Sequence, residues 1–352
     1  VRSEWRRYTN TMDITDPVAD DDGTIFEVQS VNIQENSQRT PINYVTPPGV
    51  VREQLFNNNT LINQNEQSLS LRASGAGLEP GDSRGVFKSV NVDMRQFNKL
   101  KMFLHAEALP SDPNSMQDDE MVGFIRFGND FTSNYYQVEI PLKKTNFGGV
   151  LSAEQVWPEA NQIDLDLSLL TKLKIQAMSI DPTTLVDGVY YQQEDVLDPA
   201  KAGKTNKLNL GIKGNPNFGM VRTLMVGIKN QTNTLRTVDH PFNPRDIGGE
   251  VWFNELRIAD MDNKGGMAAV ASMDTNFADF ATVSATGRLS TAGFGGLEQG
   301  PNERSREDVK QYNIVTNISL GKLLPKKWGV NLPMNYSIGE EYITPEYDPF
   351  NQ

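Results

Sequence analysis

An all-β chain is what this sequence predicts: a jelly-roll-like β-sandwich followed by antiparallel transmembrane β-barrel strands. Three observations carry that reading. Through residues 1–265, short alternating or β-branched runs are cut by clusters of Gly, Pro, Asn and Asp, and sustained helical periodicity is scarce. From residue 266 the alternation changes character, apolar on one side and almost wholly polar on the other. The connections in this second part run short, long and intermediate, as expected of outer-membrane barrels.

Taken in order, the predicted strands of the first part are TIFEVQSVNI (24–33), QSLSLRA (67–73), GVFKSVNVDM (85–94), KLKMFLHAEA (99–108), MVGFIRFG (121–128), NYYQVEIPL (134–142), TKLKIQAMSI (171–180), NKLNLGIKG (206–214), TLMVGIKN (223–230) and GEVWFNELRIA (249–259). Strands of this number, spaced by turns, predict two packed sheets of the jelly-roll kind. LSLLTKL (167–173) reads as one helical turn feeding a strand. Residues 110–120 and 181–203 read as surface loops, and TPPGV (46–50) as a stiff extended turn. In the last strand, Val251 and Phe253 share a face, but Leu256 and Ile258 fall opposite under strict period two. One extra residue near Asn254 or Glu255 restores a continuous apolar face, which predicts a β-bulge there. ADMDNKGG is then the exit from the sandwich.

In the second part, 266–352, Ala269, Ala271, Met273, Thr275 and Phe277 oppose Ser272, Asp274 and Asn276. The next segment sets Val283 and Leu289 against Thr282, Ser284, Thr286 and Arg288. A second pair sets Ile314, Ile318, Val330, Leu332, Met334 and Ile338 against Asn313, Asn317, Asn331 and Asn335. Periodicity alone fits a soluble sandwich with one wet face equally well. Segments of about ten residues with an apolar outside, a polar inside and aromatics near the strand ends are the mark of a barrel wall. Trp328, Tyr312, Tyr336 and Tyr342 supply the interfacial aromatics. On that reading Thr282, Ser284, Thr286, Arg288, Asn313, Asn317, Asn331 and Asn335 face the lumen, and Val283, Leu289, Ile314, Ile318, Val330, Leu332, Met334 and Ile338 face lipid. A periplasmic turn near Ala278 then places the sandwich outside the cell. Four strands cannot close a barrel, since about eight is the smallest. The piece belongs to a larger wall.

Composition narrows the remaining chemistry. The 352 residues are 38% hydrophobic, ample for a sizeable core, and the formal charge of -12 repels a phosphate backbone, so nucleic acid is not an expected partner. The absence of cysteine removes disulfides, thiol nucleophiles and thiolate zinc sites. The opening VRSEWRRYTN shows no leader pattern and reads as an internal piece of a longer chain. No apolar run reaches the length of a transmembrane helix, which leaves strands as the only way across.

No catalytic, cofactor or metal site is expected. His105 and His240 are the only histidines, and His105 sits in an alternating strand where packing explains it. There is no G-x-S-x-G elbow, phosphate loop or dinucleotide fingerprint. The acidic runs 13–23 and 112–120 lack the EF-hand spacing and read as solvated, loop-stiffening charge. Glu250 and Glu255 are a weak candidate carboxylate pair for glycoside hydrolysis. Trp157 and Trp252 are candidate stacking platforms for sugars, the basis of an alternative reading as a surface carbohydrate-binding or adhesin sandwich. Trp5, Arg6, Arg7 and Tyr8 form a basic aromatic cluster expected to pair within the same assembly.

Several stretches together resemble one family: EWRRYTNTMD (4–13), INYVTPPGVVRE (42–53), NEQSLSL (65–71), VDMRQFNKLKMFLHAEAL (92–109), GGEVWFNELRIADMDNKGG (248–266), EQGPNERSREDVKQYNIVTNISLGKLLPKKWG (298–329) and ITPEYDPF (343–350). They are similar to the SprA/Sov family, the outer-membrane translocon of the type IX secretion system of Bacteroidota, linked in gliding species to motility. The resemblance runs nearly end to end. It implies a very large single-chain barrel that passes folded cargo carrying a C-terminal sorting domain. It also implies a smaller outer-membrane barrel protein at a lateral gate and a periplasmic plug protein. The family pattern contains no catalytic residues.

Overall fold

The computed structural model describes residues 5–8, 23–52, 54–57, 60–63, 65–185, 188–204, 206–230, 245–300 and 303–347. Two compact units divide the chain, Val1–Met261 and Asp262–Gln352.

The first unit is an antiparallel two-sheet sandwich. Its strands are β1 (Arg6–Arg7), β2 (Thr24–Asn32), the small hairpin β3 (Gln54–Asn57) and β4 (Thr60–Asn63), β5 (Gln67–Leu78), β6 (Ser83–Val92), β7 (Phe97–Glu107), β8 (Met121–Gly128), β9 (Tyr135–Pro141), β10 (Ile163–Asp166), β11 (Val189–Gln193), β12 (Asn209–Lys213), β13 (Val221–Asn230) and β14 (Ile247–Met261). One sheet has the order β1-β6-β13-β8-β9-β12-β11, the other β10-β7-β14-β5-β2. The chain passes back and forth between the sheets, as in a jelly roll. Inward-facing Leu71, Val86, Leu104, Ile125, Val138, Leu210, Val226 and Val251 close one continuous core between them. A second core lies on the opposite face of the five-stranded sheet. There Trp252 and Phe103 are covered by Ile42 and Tyr44 from one crossing segment and by Leu151, Val156 and Trp157 from another.

The expected bulge is present. β14 pairs Asn254 with Phe103 and Arg257 with Lys101, so three steps on β14 match two on β7, and Glu255 takes φ 50°. Leu256 and Ile258 accordingly pack against the same core as Val251 and Phe253.

One predicted strand is wrong. Residues 171–180 do not form a strand, because Leu167–Ala177 is a helix that buries Leu167, Leu169, Leu170 and Leu173. The alternation of Lys172, Leu173, Lys174 and Ile175 imitates a strand, yet Ile175 is exposed while the leucines recur at three and four residues. The segment read as one long loop, 181–203, contains β11.

The second unit is a four-stranded antiparallel meander, β15 (Ala268–Phe277), β16 (Ala281–Ser290), β17 (Glu307–Ser319) and β18 (Pro333–Pro345), with β15 and β18 at its edges. Its connections are a tight turn at 278–280, in which Ala278 takes φ 51°, a long loop at 291–306, and 320–332 with two 3-10 turns.

Candidate functional site

The candidate site is the meander itself, a single layer whose two faces differ. Residues directly opposite in an antiparallel ladder point to the same side. Thr282, Thr286 and Arg288 of β16 oppose Asn317, Asn313 and Gln311 of β17, and Asn317 opposes Asn335 of β18. Ser284 lies in the same face and its hydroxyl donates to Asp274 at 2.6 Å. The Asn335 amide donates to Asn317, and Asn317 in turn to Thr282, so a polar ladder crosses three strands.

Val283, Leu289, Ile314, Ile318, Met334 and Ile338 occupy the other face, with Ile314 opposite Ile338 and Ile318 opposite Met334. Val283, Leu289, Ile314 and Ile318 are half-buried by their neighbours in the sheet, and no second layer covers this face among the described residues of the unit. Among the described residues of this unit only Ala281 and Ser290 are buried, while Met334, Tyr336 and Ile338 stand 41%, 52% and 37% exposed. Apolar side chains in a water-soluble sheet of this size are covered by a second layer. Here each strand keeps a solvent-like polar side and leaves the apolar side bare.

Three of the anticipated face residues fall elsewhere. Val330, Asn331 and Leu332 precede β18 and belong to the connection, so strand alternation does not assign them a face. The cause is local: Gly329 takes φ 62° at the end of a 3-10 turn, residues 330–332 run tightly beside Gly321, and the strand opens at Pro333. Proline lacks an N–H for the ladder and suits the first position of a strand. β18 instead extends to Pro345, through Tyr342 and Ile343.

Strand length fits a bilayer. β15 and β16 have 10 residues each, β17 and β18 have 13. At about 3.4 Å per residue and a tilt of about 40°, ten residues rise roughly 23 Å, close to the ~25 Å apolar band of an outer-membrane barrel. Tyr312 and Tyr342 lie on the apolar face towards the long loop, where the Tyr342 hydroxyl donates to Glu340 at 2.6 Å. Trp328 is exposed in the connection at the opposite end.

The sandwich accounts for the remaining candidates by packing. Trp157 and Trp252 are 2% and 0% exposed, so neither offers a platform to a sugar. The Trp157 indole N–H donates to the Val45 carbonyl and that of Trp252 to Glu250. His105 is fully buried, its Nδ1–H donating to the Val156 carbonyl at 2.7 Å. Arg39, which the sequence pattern does not single out, bridges Glu107 and Glu250 and lies 5.2 Å from the Trp252 ring. Burial pushes the Glu107 carboxyl up, but the hydrogen bonds from His105 and Arg39 outweigh it and leave it below the ordinary carboxylate value. Glu250 also accepts from Ser70, so its oxygens are engaged, and Glu255 sits apart at the bulge.

In the 112–120 loop the carboxylates are tied down singly: Asp119 to Lys143, Glu120 to Arg245, Asp118 to the Lys144 amide. Arg7 lies over the Phe26 ring and Lys88 over that of Trp5. His240 and the acidic run at 13–22 lie outside the described residues.

Residues 1–352 match the model of the SprA_N family, described as motility related/secretion protein. The chain belongs to this family. Membership makes it a motility- and secretion-related protein and agrees with the resemblance carried by the motifs. No curated protein matches the chain.

Proposed function

We propose that this family member contributes wall strands to a protein-conducting outer-membrane channel, the type IX secretion translocon, with the sandwich as an extracellular cap. The bare apolar face of β15–β18, set against a polar face on strands of spanning length, is the observation that carries the reading. Met334, Ile338, Ile314 and Ile318 meet lipid, whereas Thr282, Ser284, Thr286, Asn313, Asn317 and Asn335 line a hydrated lumen. Their hydroxyls and amides make weak, interchangeable contacts, so folded cargo of varied sequence slides past without being held. The role is passage, not catalysis. Cargo bears a C-terminal sorting domain, a smaller barrel protein covers a lateral gate, and a plug closes the periplasmic mouth. In gliding species the same export serves motility.

The alternative of a surface sugar-binding sandwich loses its two stacking candidates to the interior. Single cysteines decide between the readings in the full-length protein in intact cells. Val150 and Leu297 stand 90% and 107% exposed in the sandwich and the long loop, and Lys326 lies in the opposite connection. A membrane-impermeant maleimide should label Val150→Cys and Leu297→Cys but spare Lys326→Cys. Equal labelling at all three positions refutes a spanning wall.

A further inference from the structure

The core between the two sheets thins towards one end of β6 and β14. Along the inner face of β6, Val86 is fully buried, but the next inward residues, Lys88, Val90 and Val92, are only half-buried. The facing strand parts from them: beyond the Glu255 bulge, Leu256 and Ile258 reach the core only partly. Two cavities open between the sheets here. One of about 180 Å³ is apolar, walled by Val90, Leu100, Phe127, Leu224 and Ile258. The other, of about 300 Å³, is lined largely by polar groups, including Ser30, Gln67, Ser68 and Asn254. Lys88 and Leu256 belong to both.

Lys88 is the unusual residue. Inward-pointing lysines protect sheet edges against pairing, yet this one stands at the junction of the two cavities. Its ammonium lies 4.9 Å from the Trp5 ring. No carboxylate is within ion-pairing distance of it among the described residues. Glu255, the acidic side chain lining the polar cavity, is drawn instead towards Arg257 at 4.0 Å. An apolar cavity of about 150 Å³ is large enough to hold benzene. An apolar pocket of this size that shares a lysine with a polar one suits a molecule with an apolar tail and an anionic head.

We infer that this cleft binds a single-chain amphipathic carboxylate, its tail among Val90, Leu100, Phe127, Leu224 and Ile258 and its head on Lys88. The Trp5 ring, which lines the polar cavity against the ammonium, turns aside for the head group. Leu256, common to both cavities, sets the point at which tail gives way to head.

Photo-crosslinking with a diazirine derivative of decanoate below its micellar concentration tests this on the full chain. Label should fall on peptides containing Val90–Val92, Leu224 and Leu256–Ile258. Unmodified decanoate should compete at least tenfold better than decyltrimethylammonium, which has the same tail and the opposite charge. Lys88→Met, which keeps the stem and removes the charge, should weaken competition about tenfold or more, and Lys88→Arg should restore it. Label confined to β15–β18, equal competition by the two amphiphiles, or an unchanged Lys88→Met each overturn the assignment. Lys88→Arg guards against misreading a folding defect.

Discussion

Placing an arginine at the centre of the bare face tests the wall most directly. Ile338 lies five residues beyond Pro333, the first residue of β18. At about 3.4 Å per residue and a tilt of about 40°, that is roughly 13 Å along the bilayer normal, half the ~25 Å apolar band. Its partner Ile314 is likewise five residues from the Ser319 end of β17. On the proposed wall both estimates put the pair at the midplane, where an arginine on the lipid face costs about 2–4 kcal/mol. Ser337, one residue away, points to the polar side and opposes Val315. An arginine there remains hydrated, and its cost should stay within about 0.5 kcal/mol. The assay is a urea titration of the full-length protein in lipid vesicles, read as the fraction running as a folded band without heating. Ile338→Arg should lower the folded-to-unfolded ratio by roughly two powers of ten relative to Ser337→Arg. Equal tolerance of the two arginines refutes the lipid-facing assignment, because a face in water does not discriminate between neighbours of this kind.

Four further outcomes follow from the sandwich. Arg39→Ala strands two buried carboxylates, Glu107 and Glu250, and should cost about 3–5 kcal/mol in chemical denaturation. Glu107 has a depressed folded pKa, so its contribution is complete above its unfolded value, near 4.5, and disappears as pH falls through the lower folded value. Melting temperature should therefore drop on acidification below about pH 4.5, and Arg39→Ala should flatten that decline. Trp252→Ala should destabilise by about 3–5 kcal/mol without a change in glycan-array binding; loss of sugar binding with stability intact would reverse that reading. Glu255→Gly should raise stability by about 1 kcal/mol, since a residue with φ 50° is strained unless it is glycine. A lowered melting temperature would show that the Glu255 side chain matters more than its backbone.

Much of this architecture is legible in the residues because sheets impose a period of two. The strands at 121–128 and 223–230 stand where alternation puts them, and the bulge is legible because Val251, Phe253, Leu256 and Ile258 are out of phase by one residue. The helix at Leu167–Ala177 is hidden because lysines at 172 and 174 alternate with apolar residues, although the leucines before them carry the helical spacing. For the candidate site, both faces of β16 and β17 can be read directly, whereas the start of β18 cannot. Its position depends on how the connection folds back past Gly321, a contact that strand alternation does not encode. Arg39 is invisible for the same reason: its carboxylates come from β7 and β14, and only the folded sheet brings them together.

The two edges of the meander bear on the order in which the protein is made. Among the described residues β15 and β18 each have one hydrogen-bonded neighbour, which leaves a row of amide and carbonyl groups facing outward. In hydrocarbon each such group costs several kcal/mol, so four strands cannot enter a bilayer ahead of their neighbours. The sandwich is under no such restraint, since its core closes within its own sheets. On the proposed wall, biogenesis is divided in time: the sandwich can close its core in water as soon as its chain is available, while β15–β18 wait until further strands pair with their edges.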